Sequence, residues 1–162
     1  PPGALALECW LRIWKEGRAG ALIAQYDSPR DCGFGLFLTA DGGIAFYVGD
    51  GGAFHVQHLH GTAGGLIRPG RWAHVVAVWD GREKSIWIDG KETGRWAFAG
   101  PASPGRSPLR LAAQGEEGLS AGFLDPYYHI RSFGNPGPGR DVVCLSPTYL
   151  DATKVRGIPR VY

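Results

Sequence analysis

The chain reads as an all-β protein, with antiparallel strands packed as a two-sheet jelly-roll sandwich and one short helix near the C-terminus. Three observations predict this. Residues 71–91, RWAHVVAVWDGREKSIWIDGK, place two turn signals, Asp80-Gly81 and Asp89-Gly90, between runs rich in Val, Ile and Trp. That is the pattern of an antiparallel meander. The chain carries 26 Gly and 12 Pro, with aromatics at 12%, which suits many strands joined by many turns. Its 162 residues suffice for one domain with a real core, spanning 1–162.

Taken in order, residues 4–14 alternate. Leu5, Leu7, Cys9, Leu11 and Ile13 share one face, the predicted core face. Glu8, Trp10, Arg12 and Trp14 share the other. A polar loop leads to a short strand at 21–26. Residues 33–39 and 44–48 form a hairpin around Ala40-Asp41-Gly42-Gly43. The stretch 54–60 reads as a strand, and 61–70 as a glycine-rich connection. Within the meander, 72–79 is apolar enough to be covered on both faces, with Trp72, Val76 and Val78 buried. Ser85 to Asp89 alternates, placing Ile86 and Ile88 inward and Ser85, Trp87 and Asp89 outward. Residues 99–107 are a Pro/Gly loop, 108–113 a strand, and 122–133 a long strand. Pro126 removes a ladder donor there and implies a bulge or a sheet edge. Ser146-Pro147 has the character of an N-cap and first helical residue, so 145–155 is predicted to be the helix.

The run Trp72-x-His74-Val75-x-x-x-Trp79-Asp80-Gly81, followed by Trp87-Ile88-Asp89-Gly90-Lys91, resembles the central hairpin of the laminin G-like group in the concanavalin A-like lectin/glucanase superfamily. ALALECWLRI (4–13), GFGLFLTADGGIAFYVGDG (33–51), GFLD (122–125) and LSPTYLDATKV (145–155) are similar to the family's other pieces. The resemblance implies a concanavalin A-like jelly roll, with His74 in a structural role; its neighbours Trp72, Ala73 and Val75 mark it as a core or half-buried histidine that donates to a backbone carbonyl. The segments PPGALALECWLRIW and 33–51 also resemble the laminin G-like region of the N,N-dimethylformamidase-type amidase large subunit. There the iron chemistry belongs to another domain. The family carries one more N-terminal strand, and this chain opens Pro-Pro-Gly without Met. Both features predict a fragment of a longer polypeptide, and they leave the compartment open.

The net charge of +2, with Lys and Arg scattered, argues against nucleic acid as a partner. No apolar run approaches the roughly 20 residues of a bilayer span, so no membrane insertion is expected. Cys9, Cys32 and Cys144 fit no zinc spacing. Buried thiols, or one disulfide among them, both fit.

Catalysis finds no support. Glucanases need two carboxylates flanking one glycosidic bond, but Glu116 and Glu117 are adjacent and sit in a glycine-flanked loop. No nucleophile elbow or phosphate loop is present. His58 and His60 have ligand-like spacing, yet no third ligand is matched to them. Relatives often bind calcium through loop oxygens, and the resemblance makes Asp27, Asp31, Asp50 and Asp125 the candidate ligands for that ion. Turn and cap chemistry explains the same aspartates.

The remaining candidates are aromatic. Trp10, Trp14 and Trp87 lie opposite the predicted core. Their rings can stack on the C–H faces of a sugar while Asp89 accepts from its hydroxyls. The expected partner is therefore carbohydrate. The same faces also suit a packed layer or an interface with a neighbouring domain of the same polypeptide. The two functional readings are a non-catalytic binding module and an accessory or scaffold domain of a larger enzyme.

Overall fold

The computed structural model describes residues 4–27, 32–111, 126–127 and 141–145. In chain order the strands are β1 (Leu5–Arg12), β2 (Gly20–Asp27), β3 (Cys32–Leu38), β4 (Ile44–Val48), β5 (Leu59–Gly61), β6 (Ala73–Trp79), β7 (Glu83–Ile88), β8 (Lys91–Ala97), β9 (Arg110–Leu111), β10 (Pro126–Tyr127) and β11 (Asp141–Leu145). They form a six-stranded sheet ordered β10-β11-β1-β6-β7-β8 and a five-stranded sheet ordered β5-β4-β3-β2-β9. All pairs are antiparallel except β10 with β11, which run parallel. The all-β sandwich expected from the sequence is thus present.

The alternation in β1 places Leu7, Cys9, Leu11 and Ile13 in the core. They face Ile23, Leu36, Leu38, Ile44, Phe46 and Val48 of the other sheet, and Val75, Ala77, Ile86 and Ile88 complete the layer. Period two explains this directly, since a strand buries one face. Strand β2 departs from it. A bulge between Ala21 and Ile23 inserts Leu22, and all four residues 21–24 are buried.

The meander forms as its turns predict. Asp80 Oδ1 accepts from the backbone N–H of Arg82 and Glu83, at 2.8 Å each, closing the β6–β7 connection. These bonds hold the Asp80 carboxyl below its ordinary range, Glu83 N–H being the larger cause. Asp89 and Gly90 both have positive φ, 51° and 77°. That suits the two-residue hairpin that an Asp-Gly pair makes readily.

Several expectations change. Strand β6 is covered fully on only one face. Val76 and Val78 are half-buried on the outer side, and Trp72 precedes the strand half-buried. Lys84 belongs to the inward face of β7 and is fully buried. Its ammonium donates to the carbonyls of His58 (2.6 Å) and Gln57 (3.3 Å) and stands 4.0 Å from the centroid of the Phe98 ring. The predicted strand at 54–60 is instead a 3₁₀ turn, Val56–His58, followed by the short β5. The turn forms because the His58 Nδ1 accepts from the His55 backbone N–H, bending the chain.

Of the expected strand 108–113, β9 takes Arg110–Leu111, and 112–113 lie outside the described residues. Pro126 opens β10, the outermost strand of its sheet, where a missing donor is tolerated. Most of the predicted strand 122–133 and the helix beyond Leu145 lie outside the described residues. Leu145 itself ends β11.

Candidate functional site

A concave region lies at the β6 N-terminal end of the sandwich, where loops rather than strands supply the walls. Residues 62–71 have almost no regular structure, yet they are laced to their neighbours. Gly65 N–H donates to Asp41 O at 2.7 Å, Ile67 N–H to Gly42 O at 2.9 Å and Gly70 N–H to Ile13 O at 2.9 Å. Thr62 Oγ1 accepts from Ile44 N–H. Backbone satisfaction of this kind fixes a loop as firmly as a strand.

The loop ends in Arg68-Pro69-Gly70-Arg71. Pro at the second position and Gly at the third, with φ at +74°, are what a type II turn requires. Arg71 N–H donates back to Arg68 O at 3.4 Å. The turn therefore brings two arginines together at its two ends.

Two cavities open beside it. The larger, about 520 Å³, is lined by Ile13, Glu16, Arg18, Asp41, Ile67 and Arg68 among others. The smaller, about 300 Å³, is lined by Gly65, Leu66, Arg68, Arg71, Trp72, Ala73 and Asp89. They share Gly65 and Arg68 and so adjoin. In the larger cavity Asp41 accepts from the Thr39 hydroxyl (2.5 Å) and from Gly43 N–H (3.1 Å). The Thr39 hydroxyl, followed by Gly43 N–H, holds its carboxyl below the usual carboxylate range.

Next to the smaller cavity lies the outer face of the six-stranded sheet. Trp10 stacks on His74, with centroids 4.8 Å apart and planes 28° from parallel. His74 Nε2–H donates to Glu8 Oε1 at 2.5 Å. Its partner is thus a carboxylate and not the backbone carbonyl expected. The second Glu8 oxygen is buried with no hydrogen bond among the described residues. The His74 backbone N–H donates to Asp89 Oδ1 at 2.8 Å. Arg12 lies over the Trp72 ring at 5.4 Å.

The sequence candidates divide. Asp89 is exposed and lines the smaller cavity, but as a turn residue and not as the next outward step along β7. Trp10 is 37% exposed on the outer face, and Trp14 is 50% exposed. Trp87 is half-buried there and opposite Val76, and its ring N–H donates to Ser85 Oγ at 3.3 Å. Trp10, Trp14 and Trp87 all stay off both cavity linings. Arg68, Arg71 and Trp72 were not singled out as site residues. The Pro-Gly between two arginines was the signal that could have found the first two.

Of the metal candidates, Asp50 has a described side chain. Asp50 accepts from Gly52 N–H at 2.8 Å and lies 3.5 Å from His58 Nε2. Asp27 ends β2, while Asp31 and Asp125 lie outside the described residues. His58 and His60 diverge. His58 packs edge-on to Tyr47 and Phe98, and His60 stacks on Trp96 at 5.3 Å. Burial, and then the Lys84 charge, push the His60 pKa down. Among the described residues no three His, Cys, Asp or Glu side chains group as ion ligands.

A family model described as the concanavalin A-like lectin/glucanases superfamily matches residues 1–125. No curated protein sequence matches the chain. Among solved structures, the chain is similar to the IT-sialidase CBM40 of Ruminococcus gnavus bound to α2,3-sialyllactose. That pair has a TM-score of 0.57 and 12% identity, covering 73% of this chain and 68% of the other. The same CBM40 bound to α2,6-sialyllactose gives 0.55 at 12% identity, covering 73% and 69%. The binding domain of Paraclostridial Mosquitocidal Protein 1 gives 0.52 at 14% identity, covering 67% of this chain but only 28% of that one. At these identities the likeness is one of fold.

Proposed function

The chain belongs to the concanavalin A-like lectin/glucanase superfamily, and from that premise we propose that it is a non-catalytic module that binds carbohydrate. One observation carries the reading. The two adjoining cavities set an apolar wall, hydrogen-bond donors and an acceptor carboxylate around one open space. Sugars need that combination, since their C–H faces pack on rings and their hydroxyls both donate and accept. The structural neighbours include carbohydrate-binding modules, a non-catalytic type of domain, which supports the same reading.

In this proposal Asp89 accepts from a hydroxyl through its remaining oxygen, and Trp72 walls the cavity. Trp10 extends the surface across the sheet, with Trp14 and Trp87 as outlying platforms. Turnover is not expected. A glycosidase acid needs a raised pKa, whereas Asp41 is pushed the other way.

A glycan array probed with the full chain tests the reading. Binding that is lost in Asp89→Asn, which can keep the turn and the bond from His74, supports it. Absence of binding to any glycan overturns it.

A second reading is a scaffold domain of a larger enzyme, such as an amidase of the N,N-dimethylformamidase type. It is favoured by the outer face of the six-stranded sheet, where Trp10, Val76, Val78 and Trp87 gather. Here Trp87→Ala separates the readings. Lost glycan binding with only the modest stability loss of a half-buried ring favours recognition. A large stability loss, with no glycan bound by the wild type, favours the scaffold.

A further inference from the structure

We propose that the smaller cavity is an anion subsite in which Arg68 and Arg71 take a carboxylate or sulfate carried by a sugar. The proposal rests on the sugar-binding reading and names its ligand class.

The first ground is placement. A β-turn holds its first and fourth Cα atoms within about 7 Å, so Arg68-Pro69-Gly70-Arg71 sets its two arginines side by side. Pro69 and the positive φ of Gly70 fix the turn, and Gly70 N–H anchors it to Ile13 O. The backbone that carries the pair is thus fixed before any ligand arrives, which lowers part of the ordering cost of binding.

The second ground is the state of the charges. Three charged residues line this cavity: Arg68, Arg71 and Asp89. One oxygen of Asp89 already accepts from His74 N–H. Arg68 Nε reaches only Gly65 O, at a long 3.5 Å. Among the described residues neither Arg68 nor Arg71 forms a salt bridge. Arg95 shows the alternative on this same surface, held between Glu83 at 2.9 Å and Glu92 at 2.6 Å. Guanidinium groups left with spare donors in a fork suit a planar carboxylate or a sulfate.

The third ground is what surrounds them. Leu66 and Trp72 line the same cavity and give the anion's carrier an apolar wall. A bare inorganic ion makes no use of such a wall. The adjoining cavity is lined by Glu16 and Asp41 with Arg18 and the shared Arg68, two carboxylates with two guanidinium groups, so the charges there offset one another. That space suits the neutral part of a glycan.

The test is an array that pairs neutral glycans with their sialylated, uronate-containing and sulfated forms. It is probed with the wild type, Arg68→Ala/Arg71→Ala and Arg68→Lys/Arg71→Lys. Acidic forms should bind about ten-fold or more tightly than their neutral parents. That preference should vanish in the Ala pair, survive partly in the Lys pair, and shrink as salt rises from about 0.05 M to about 0.5 M. The carboxylate and sulfate arms identify which anion is taken. Neutral parents bound as tightly as acidic forms, or a preference unmoved by the Ala pair or by salt, overturn the inference and leave the sugar reading standing. No binding to any glycan overturns both. The salt series on the wild type decides the matter even if the Ala pair does not fold.

Discussion

The β6–β7 hairpin carries a cationic cluster near each end, and the two have opposite fates. At the end where Trp79 pairs with Lys84, the Lys84 ammonium is sealed between the sheets. Two backbone carbonyls and the rings of Phe98 and Phe46 face it. At the end where Val75 pairs with Ile88, Arg68 and Arg71 stand at an open cavity, and among the described residues neither forms a salt bridge. Burying an ammonium costs several kcal/mol. Charge-assisted hydrogen bonds and cation–π contacts can offset that cost. The buried cation therefore belongs to stability, while the open pair contributes little to it and remains available to a ligand.

The strongest way to break this comparison is Lys84→Ala. It removes the side chain and strands two carbonyls, and we expect a loss of about 3–5 kcal/mol in urea unfolding. A loss below about 1 kcal/mol would remove the ammonium from the structural account. Ile88→Ala, a core deletion beneath the open end, should cost about 2–4 kcal/mol, because Ile88 is buried within the core cluster. Trp87→Ala should cost about 1–2 kcal/mol, less than a fully buried Trp, since one side of its ring meets solvent. Arg68→Ala/Arg71→Ala should change unfolding by less than about 0.5 kcal/mol per site. A larger effect would mean that the pair is structural after all.

The smallest effect is one of pH. Burial and the Lys84 charge keep His60 neutral, with its pKa below the ordinary 6.5. The unfolded chain therefore binds the proton more readily. This stability is fully present above pH 6.5 and is lost as pH falls below it toward the lower folded value. His60→Gln should flatten that acid-side slope in denaturation midpoints measured across the same window.

Periodicity made one part of the molecule legible. The alternation of Leu7, Cys9, Leu11 and Ile13 and the two Asp-Gly turns predict strands that the structure contains. The same rule applied one residue further would have found Lys84, which shares parity with Ile86 and Ile88. Its charge concealed it, because lysine is seldom buried without partners, and its partners come from residues 57 and 58. Spacing alone misread His58 and His60. Their i, i+2 separation suits a strand face, but the bond from His55 N–H to His58 Nδ1 bends the chain first. The cavities are less legible still. Their walls come from residues 13–18, 40–42, 65–73 and 89, segments that no local period connects. Only the turn chemistry of Arg68-Pro69-Gly70-Arg71 was visible in advance. It was read as a connection because Pro and Gly announce a turn without saying what the turn presents.

Strand β8 forms one rim of the six-stranded sheet, where an unpaired ladder invites another chain to add itself. Its pairing with β7 is broken by a bulge between Ile86 and Trp87, and Arg95 lies across the strand to Glu83 and Glu92. On the other sheet the rim β5 is three residues long. Charged, kinked or very short rims resist intermolecular zippering. Copies held close together, in tandem or on a crowded glycan-bearing surface, would keep their sheets separate and stay individually folded.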